Sequence, residues 1–274
     1  MIEKMKKDIL RLLLPPILID AYTRIRSPIR FSRVDQYWET ALRKSSGYLD
    51  DRILEKVAQA TLKVIQGKAA YERDSVLFLT PAYNWPLLAS LFLIASKNNG
   101  ILNVLDYGGS LGSTYFQHRT LLKTLKQIKW SIVEQDNYVR RAQEIQELSE
   151  ILFYRNFGEC YSAARPDVIL FSTVLSYIEK PYDLLAYAQQ LNVEYIIVNS
   201  TLFIDQDEDI LTVQRISEPI YNASYPCWIL SRTKFLQCLS ERYELLAELP
   251  SDETATFHIQ GSTAMFTGFF FRKR

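Results

Sequence analysis

Gly108, Gly109 and Gly112 place three of the nine glycines of this 274-residue chain within five residues, directly after an apolar run that ends in Asp106. A residue without a Cβ permits positive φ and lets a ligand lie against the backbone, and a helix start just beyond it offers unpaired N–H groups. Asn103 to Gly112 therefore reads as strand, tight turn and helix start, a seat of nucleotide size. The dinucleotide fingerprint would need glycine at 107, 109 and 112, but position 107 holds Tyr107. A pyrophosphate would also be repelled by Asp106, whereas a cationic ligand without phosphate would not. S-adenosylmethionine carries an ammonium and a sulfonium, and its ribose hydroxyls want a carboxylate at the end of the next strand. Glu134 stands there, 22 residues after Gly112. The pattern favours this cofactor over NAD. The plain alternative is a structural turn beside a solvated loop acid.

Other residue types narrow the chemistry less. Methyl transfer to an alcohol gains from a general base, and His258 is the candidate by elimination, in a polar loop between two late strands. An ordinary surface histidine is the competing reading. His118 falls in the helix after the glycine turn, where packing is favoured. Tyr221, Tyr225 and Trp228 gather around Pro226, and Tyr83-Asn84-Trp85 forms a second aromatic cluster. Such rings suit the C–H faces of a saccharide acceptor, and core packing explains them equally simply. Asp205, Asp207, Glu208 and Asp209 read as a solvated acidic loop, with a catalytic or divalent-ion role open for Asp205. Cys160, Cys227 and Cys238 form no Cys-x-x-Cys pair, so no zinc site, disulfide framework or other metal centre is expected.

The elements that must position these residues follow from periodicity. Val34 to Tyr71 reads as helical, with Leu49, Ile53, Val57, Ala60 and Val64 recurring every three or four residues. After Gly100 short apolar runs alternate with helix-length polar segments: strands at 101–105, 130–133, 151–154, 167–171 and 195–198, and helices at 114–126, 138–148 and 182–191. That rhythm means a mostly parallel sheet covered on both faces, with ligands at the carboxyl ends of its strands. Leu245 to Leu249 and Met265 to Phe271 suggest a closing antiparallel hairpin. The expected organisation is an N-terminal helical cap over residues 1–75 and a seven-stranded Rossmann-like α/β domain over 76–274.

Composition sets the outer bounds. With 32 basic and 31 acidic side chains the net charge is +1, which provides no global drive toward nucleic acid. The longest apolar stretches fall short of the roughly 20 residues that span a bilayer. A cytoplasmic protein is expected. Lys4, Lys6 and Lys7 before Ile9 to Ile19 leave two readings open, a helix packed on the body or a peripheral contact with the inner face of the membrane.

These motifs together resemble class I S-adenosylmethionine-dependent methyltransferases, with Val104-Leu-Asp106-Tyr-Gly108-Gly109-Ser110-Leu-Gly112 as the first motif and Ile132-Val-Glu134-Gln135 as the second. Asp167 to Ile178 followed by Pro181 is similar to the fourth-strand motif. More narrowly, Gly47-Tyr48, Tyr71-Glu-Arg-Asp-Ser75 and Tyr221-x-x-Ser224-Tyr225-Pro226-x-Trp228 resemble methyltransferases of bacterial surface-polysaccharide gene clusters. Ser110 departs from the commoner Gly-x-Gly-x-Gly form. The resemblance implies that Gly108, Gly109, Ser110 and Gly112 cradle the methionine part, with Asp106 ordering it. It implies further that Glu134 holds the ribose, Gln135, Asn156 and Phe157 lie by the adenine, and Ser172 and Thr173 line the methyl-donor side. Tyr83, Asn84, Tyr177, Tyr221, Tyr225 and Trp228 are the expected acceptor-facing residues. The implied activity is O-methylation of a sugar or nucleotide-sugar intermediate. A methyltransferase fold kept as a non-catalytic subunit of a polysaccharide assembly complex is the alternative.

Overall fold

The computed structural model describes residues 29–34, 37–46, 51–217, 222–251, 255–259 and 261–274. In chain order the first elements are β1 (Ile29–Arg33), α1 (Trp38–Arg43), α2 (Asp51–Ile65), a hairpin of β2 (Tyr71–Arg73) and β3 (Val76–Phe78), and α3 (Trp85–Lys97). The alternating part contains β4 (Ile101–Tyr107), α4 (Ser113–Leu122), β5 (Gln127–Val133), α5 (Asp136–Gln143), β6 (Ile151–Tyr154), α6 (Phe157–Ala164), β7 (Val168–Ser172), α7 (Pro181–Gln190) and β8 (Tyr195–Ile204). Then come β9 (Ile210–Ile216), β10 (Ala223–Ser231), α8 (Arg232–Ser240), β11 (Tyr243–Pro250), β12 (Thr256–Ile259) and β13 (Ser262–Lys273).

Five strands pair in parallel in the order β6-β5-β4-β7-β8. β13 lies antiparallel on the other side of β8, and β11 pairs antiparallel with β13, which completes the seven-stranded Rossmann-like sheet with its closing hairpin. The period-2 pattern of β7 shows why: Val168 and Leu170 enter the core beneath α3 and α4, while Ile169 and Phe171 enter the core beneath α6, α7 and α8. A strand buried on both faces must be apolar throughout. The chain winds from β4 toward β6 in one direction and returns to β7 on the other side, so the switch point lies between the carboxyl ends of β4 and β7.

The sheet is larger than the expected seven strands. Beyond Ser172 the side of β8 that β7 leaves is taken over by β10 at Leu230 and Ser231, which continues antiparallel through β9 to β1. Ser200, at φ 46°, bends β8 where one neighbour replaces the other, and β13 carries a register shift between Thr267 and Phe269 opposite it. The expected helical cap over residues 1–75 therefore includes a strand of the extended sheet, β1, and the first strand of the hairpin, β2, beside its helices. The lysines and apolar run of the first 19 residues, and Gly47-Tyr48, lie outside the described residues. Among the described residues no helix is long and apolar enough to cross a membrane.

Candidate functional site

The glycine turn sits where the fold places ligands. Gly108 takes φ 72° and Gly112 φ 95°, and a Cβ on Gly108 would lie 2.4 Å from a methyl of Val174, in the segment that follows β7. The Gly108 N–H donates to the Val133 carbonyl (2.9 Å), which ties the turn to the end of β5. Gly109 lies directly over the Asp106 carboxyl group: a Cβ there would stand 2.5 Å from Oδ2. Ser110 is left-handed at φ 54°, a conformation that costs a side-chain-bearing residue about 1 kcal/mol. Ser110→Gly is therefore expected to stabilise the protein by about 0.5–1 kcal/mol, raising the melting temperature by roughly 1–4 °C in a thermal melt.

Two carboxyl groups flank the turn. Asp106 is fully buried; its Oδ2 accepts from Trp130 Nε1–H at 3.1 Å, and its Oδ1 has no partner among the described residues. Burial pushes its pKa up to about 7, against the Trp130 hydrogen bond and with help from the nearby Glu134 charge. Glu134 Oε1 accepts the Ser110 N–H (3.1 Å) and Oε2 the Gln135 N–H (2.8 Å). Burial raises this carboxyl too, opposed by those two bonds. Tyr107, at the position where a dinucleotide site would need glycine, packs its ring against Phe157 and Phe171 at 5.2 and 5.8 Å. An orphaned carboxylate oxygen under the turn and a second carboxylate beside it suit a cation and repel phosphate, so the residues present fit a sulfonium- and ammonium-bearing nucleoside.

A third buried acid was not assigned from sequence. Glu72, in the β2–β3 hairpin, accepts the Ser75 N–H through Oε2 (3.1 Å) and the Ser113 hydroxyl through Oε1, anchoring the hairpin to the first residue of α4. Asp74 and Ser75 both take positive φ at the hairpin tip, as a two-residue type I′ turn requires. Burial raises Glu72 to about 7 as well. The linkage sign follows directly. In the unfolded chain both Asp106 and Glu72 ionise near pH 4; in the folded protein they hold their protons to about pH 7. Stability accordingly falls as pH rises from about 4 to 7. Melting temperatures measured from pH 5 to 8 should show Asp106→Asn gaining on the wild type toward pH 8, with little difference at pH 5.

The residues expected near the adenine follow β5 and β6. Gln135 is exposed at the start of α5, and Asn156 caps α6, its side chain accepting from the Glu159 N–H at 3.1 Å. Phe157 is buried beneath Tyr107 and contributes packing. Ser172 ends β7, half-buried, and Thr173 follows at φ 59° with its N–H on the Asn199 carbonyl (2.9 Å).

The residues expected on the acceptor side are divided by the structure. Tyr177 sits in a 3₁₀ turn (Leu175–Tyr177); its hydroxyl donates to Gln214 Oε1 (3.0 Å) and its ring meets Tyr225 edge-on at 5.2 Å. Tyr225 is buried under it. Trp228 stacks on Trp38 and donates to the Glu179 carbonyl, and Tyr83 is half-buried against Trp85 and His118. Asn84, expected at the acceptor, is instead a buried cap of α3: its Oδ1 accepts the Leu87 N–H and its Nδ2 donates to Asn199. Its amide is thereby committed to the protein. Tyr221 lies outside the described residues.

His258 is exposed on β12 and hydrogen-bonded to Thr263 Oγ1 (3.0 Å). Its partner strand pairs Ala264 with Ile204, a further five residues along β8 from Asn199, or about 17 Å at the usual strand rise. That spacing separates it from the ends of β4 and β7. Of the acidic run, Asp209 is tied to Tyr182, Ser231 and Lys234. Among the described residues no three His, Cys, Asp or Glu side chains gather to hold a metal.

The strand order and the site define a Rossmann-like α/β fold of the class that S-adenosylmethionine-dependent methyltransferases use. No family model and no curated protein matches the chain. Among solved structures it is similar to the N-terminal domain of EvdMO1 in the presence of SAH and D-fucose, at 15% identity over 78% of this chain and 97% of that one, TM-score 0.47. It is also similar to the CcbJ methyltransferase of Streptomyces caelestis (11% identity, 74% and 93% coverage, TM-score 0.41). Magnesium protoporphyrin IX methyltransferase of Synechocystis shows 12% identity over 98% and 97%, TM-score 0.41. All three are remote in sequence and shape.

Proposed function

We propose that the chain is an S-adenosylmethionine-dependent methyltransferase that methylates a hydroxyl of a sugar or nucleotide-sugar intermediate of surface-polysaccharide synthesis. The observation that supports the cofactor best is the glycine turn held between the orphaned Asp106 carboxyl and Glu134. When bound, S-adenosylmethionine supplies an electrophilic methyl group on sulfur. Gly108, Gly109, Ser110 and Gly112 present backbone to its amino-acid end, and Glu134 accepts the ribose hydroxyls. Above about pH 7, where it ionises, Asp106 sets a negative potential beneath the turn. Tyr177 and Trp228 line the acceptor side in this reading, where aromatic faces stack on sugar C–H groups. The acceptor hydroxyl would be held in line with the methyl group, so that positioning contributes much of the rate. On taking up the methyl group the acceptor oxygen would release its proton to water.

Calorimetric titration with S-adenosylmethionine tests the cofactor: binding in the micromolar range supports the reading, and no binding removes it. Mass analysis of nucleotide sugars incubated with enzyme and cofactor should show a gain of one methyl group. An unaltered nucleotide-sugar pool would overturn the acceptor class.

A further inference from the structure

A chain of buried hydrogen bonds runs from the helix after the glycine turn to the end of β7, and its polarity is fixed at every link. His118, Asn84 and Asn199 are 1%, 4% and 7% exposed. The His118 Nε2 accepts the backbone N–H of Asn84 at 3.0 Å, so its Nδ1 carries the proton and donates to the Thr114 carbonyl at 2.7 Å. The Asn84 Oδ1 accepts the backbone N–H of Leu87 (3.0 Å), which leaves its Nδ2 to donate to Asn199 Oδ1 (3.1 Å). That contact fixes the Asn199 amide in turn, and its Nδ2 donates to Ser172 Oγ at 3.0 Å. Two backbone N–H groups, which can only donate, thus set both amide orientations and the histidine tautomer.

The consequence falls on Ser172. Its oxygen already accepts from Asn199, and no described group accepts its own O–H. The hydroxyl is half-buried, at the carboxyl end of the strand beside β4. Val174, two residues on, lies against Gly108, so the segment that carries Ser172 runs beside the turn assigned to the amino-acid end of the cofactor. That end has an ammonium and a carboxylate. Asp106 serves the cationic part and Glu134 the ribose; the carboxylate needs a donor.

We propose that Asn199, held by Asn84 and His118, is a positioning residue that orients the Ser172 hydroxyl as a hydrogen-bond donor to the α-carboxylate of the bound cofactor. This rests on the cofactor assigned above. The pair of probes is S-adenosylhomocysteine, which has the carboxylate, and 5′-methylthioadenosine, which lacks the amino-acid end. Ser172→Ala should weaken S-adenosylhomocysteine about ten- to hundredfold, the range for one hydrogen bond to a charged group, and leave 5′-methylthioadenosine within about twofold. Asn199→Asp keeps its bond from Asn84 but accepts from Ser172, turning that hydroxyl around. It should lower the same ratio of affinities, and it should add less than about twofold in a Ser172→Ala background, because both changes act through one hydroxyl.

Retained 5′-methylthioadenosine binding shows in each variant that the site is folded. If Asn199→Asp does not fold, Ser172→Ala alone still decides whether the hydroxyl meets the carboxylate. An unchanged affinity ratio in Ser172→Ala, or effects that multiply in the double variant, overturns the proposal. A wild type that binds neither probe would instead overturn the cofactor reading beneath it.

Discussion

Glu134→Ala will weaken S-adenosylhomocysteine binding by about thirtyfold or more while leaving the fold in place. The ribose diol would give two hydrogen bonds to one carboxylate, and bonds to a charged group contribute about 1.5–3 kcal/mol each. Because the two share one partner, a joint loss on the order of 2–4 kcal/mol is expected. The carboxylate also accepts the N–H groups of Ser110 and Gln135, so its removal frees the left-handed corner of the turn. Stability should respond differently. Burial holds Glu134 above the ordinary carboxylate range, which means the site destabilises its charge, and truncation relieves that cost while it forfeits two surface-side bonds. The melting temperature should stay within a few degrees of the wild type. Glu134→Gln keeps the shape and one acceptor oxygen, so it should lie between the two in affinity. Calorimetry with the three proteins reads the order; an alanine variant that binds as tightly as wild type would place the ribose elsewhere.

The reason Glu134 could be read from sequence at all is local. Strand β5 ends in the buried run Trp130-Ser-Ile-Val133, the acid follows it at once, and the glycine turn precedes it by one helix. The same holds for β7, whose Val168-Ile-Leu-Phe171 is apolar because both faces are covered. Strand β10 was not legible, since Pro226 interrupts it and a proline argues against a central strand. Its position explains the tolerance: Pro226 pairs with Val213 of β9, while β8 joins β10 only at Leu230 and Ser231, so Pro226 needs no donor on its other side.

Helix α6 was hidden by its small residues and by the short strand before it. The Asn84–Asn199 contact joins residues 115 positions apart, and nothing local announces it. A trace was nonetheless present: Asn199-Ser-Thr201 is a polar triplet inside a strand that is buried from end to end. Buried polar side chains need partners, and such a triplet marks where the partners must be sought.

The steric logic of the turn gives the other large effect: Gly109→Ala should abolish measurable cofactor binding and cost about 1–3 kcal/mol of stability. The added Cβ would stand 2.5 Å from Asp106 Oδ2 and 2.6 Å from its Cγ. The carboxyl group cannot retreat, because Trp130 Nε1–H holds Oδ2 and the residue is buried in the central strand. The turn must therefore lift. A displacement near 1 Å at a positioning element costs about a hundredfold, and here it moves every N–H from Gly109 to Gly112. Gly108→Ala meets a different obstacle, a Val174 methyl together with a positive φ, and a half-buried valine can turn aside more readily than a pinned carboxyl group.

The diagnosis can be checked by compensation. Asp106→Ala in the Gly109→Ala background removes the atoms that clash, so the double variant should recover melting temperature relative to Gly109→Ala alone. If the single variant binds S-adenosylhomocysteine within threefold of wild type, the contact between Gly109 and Asp106 does not shape the site. If stability returns in the double variant and affinity does not, the Asp106 carboxylate is needed for binding in its own right, as a negative charge placed beneath a cationic ligand.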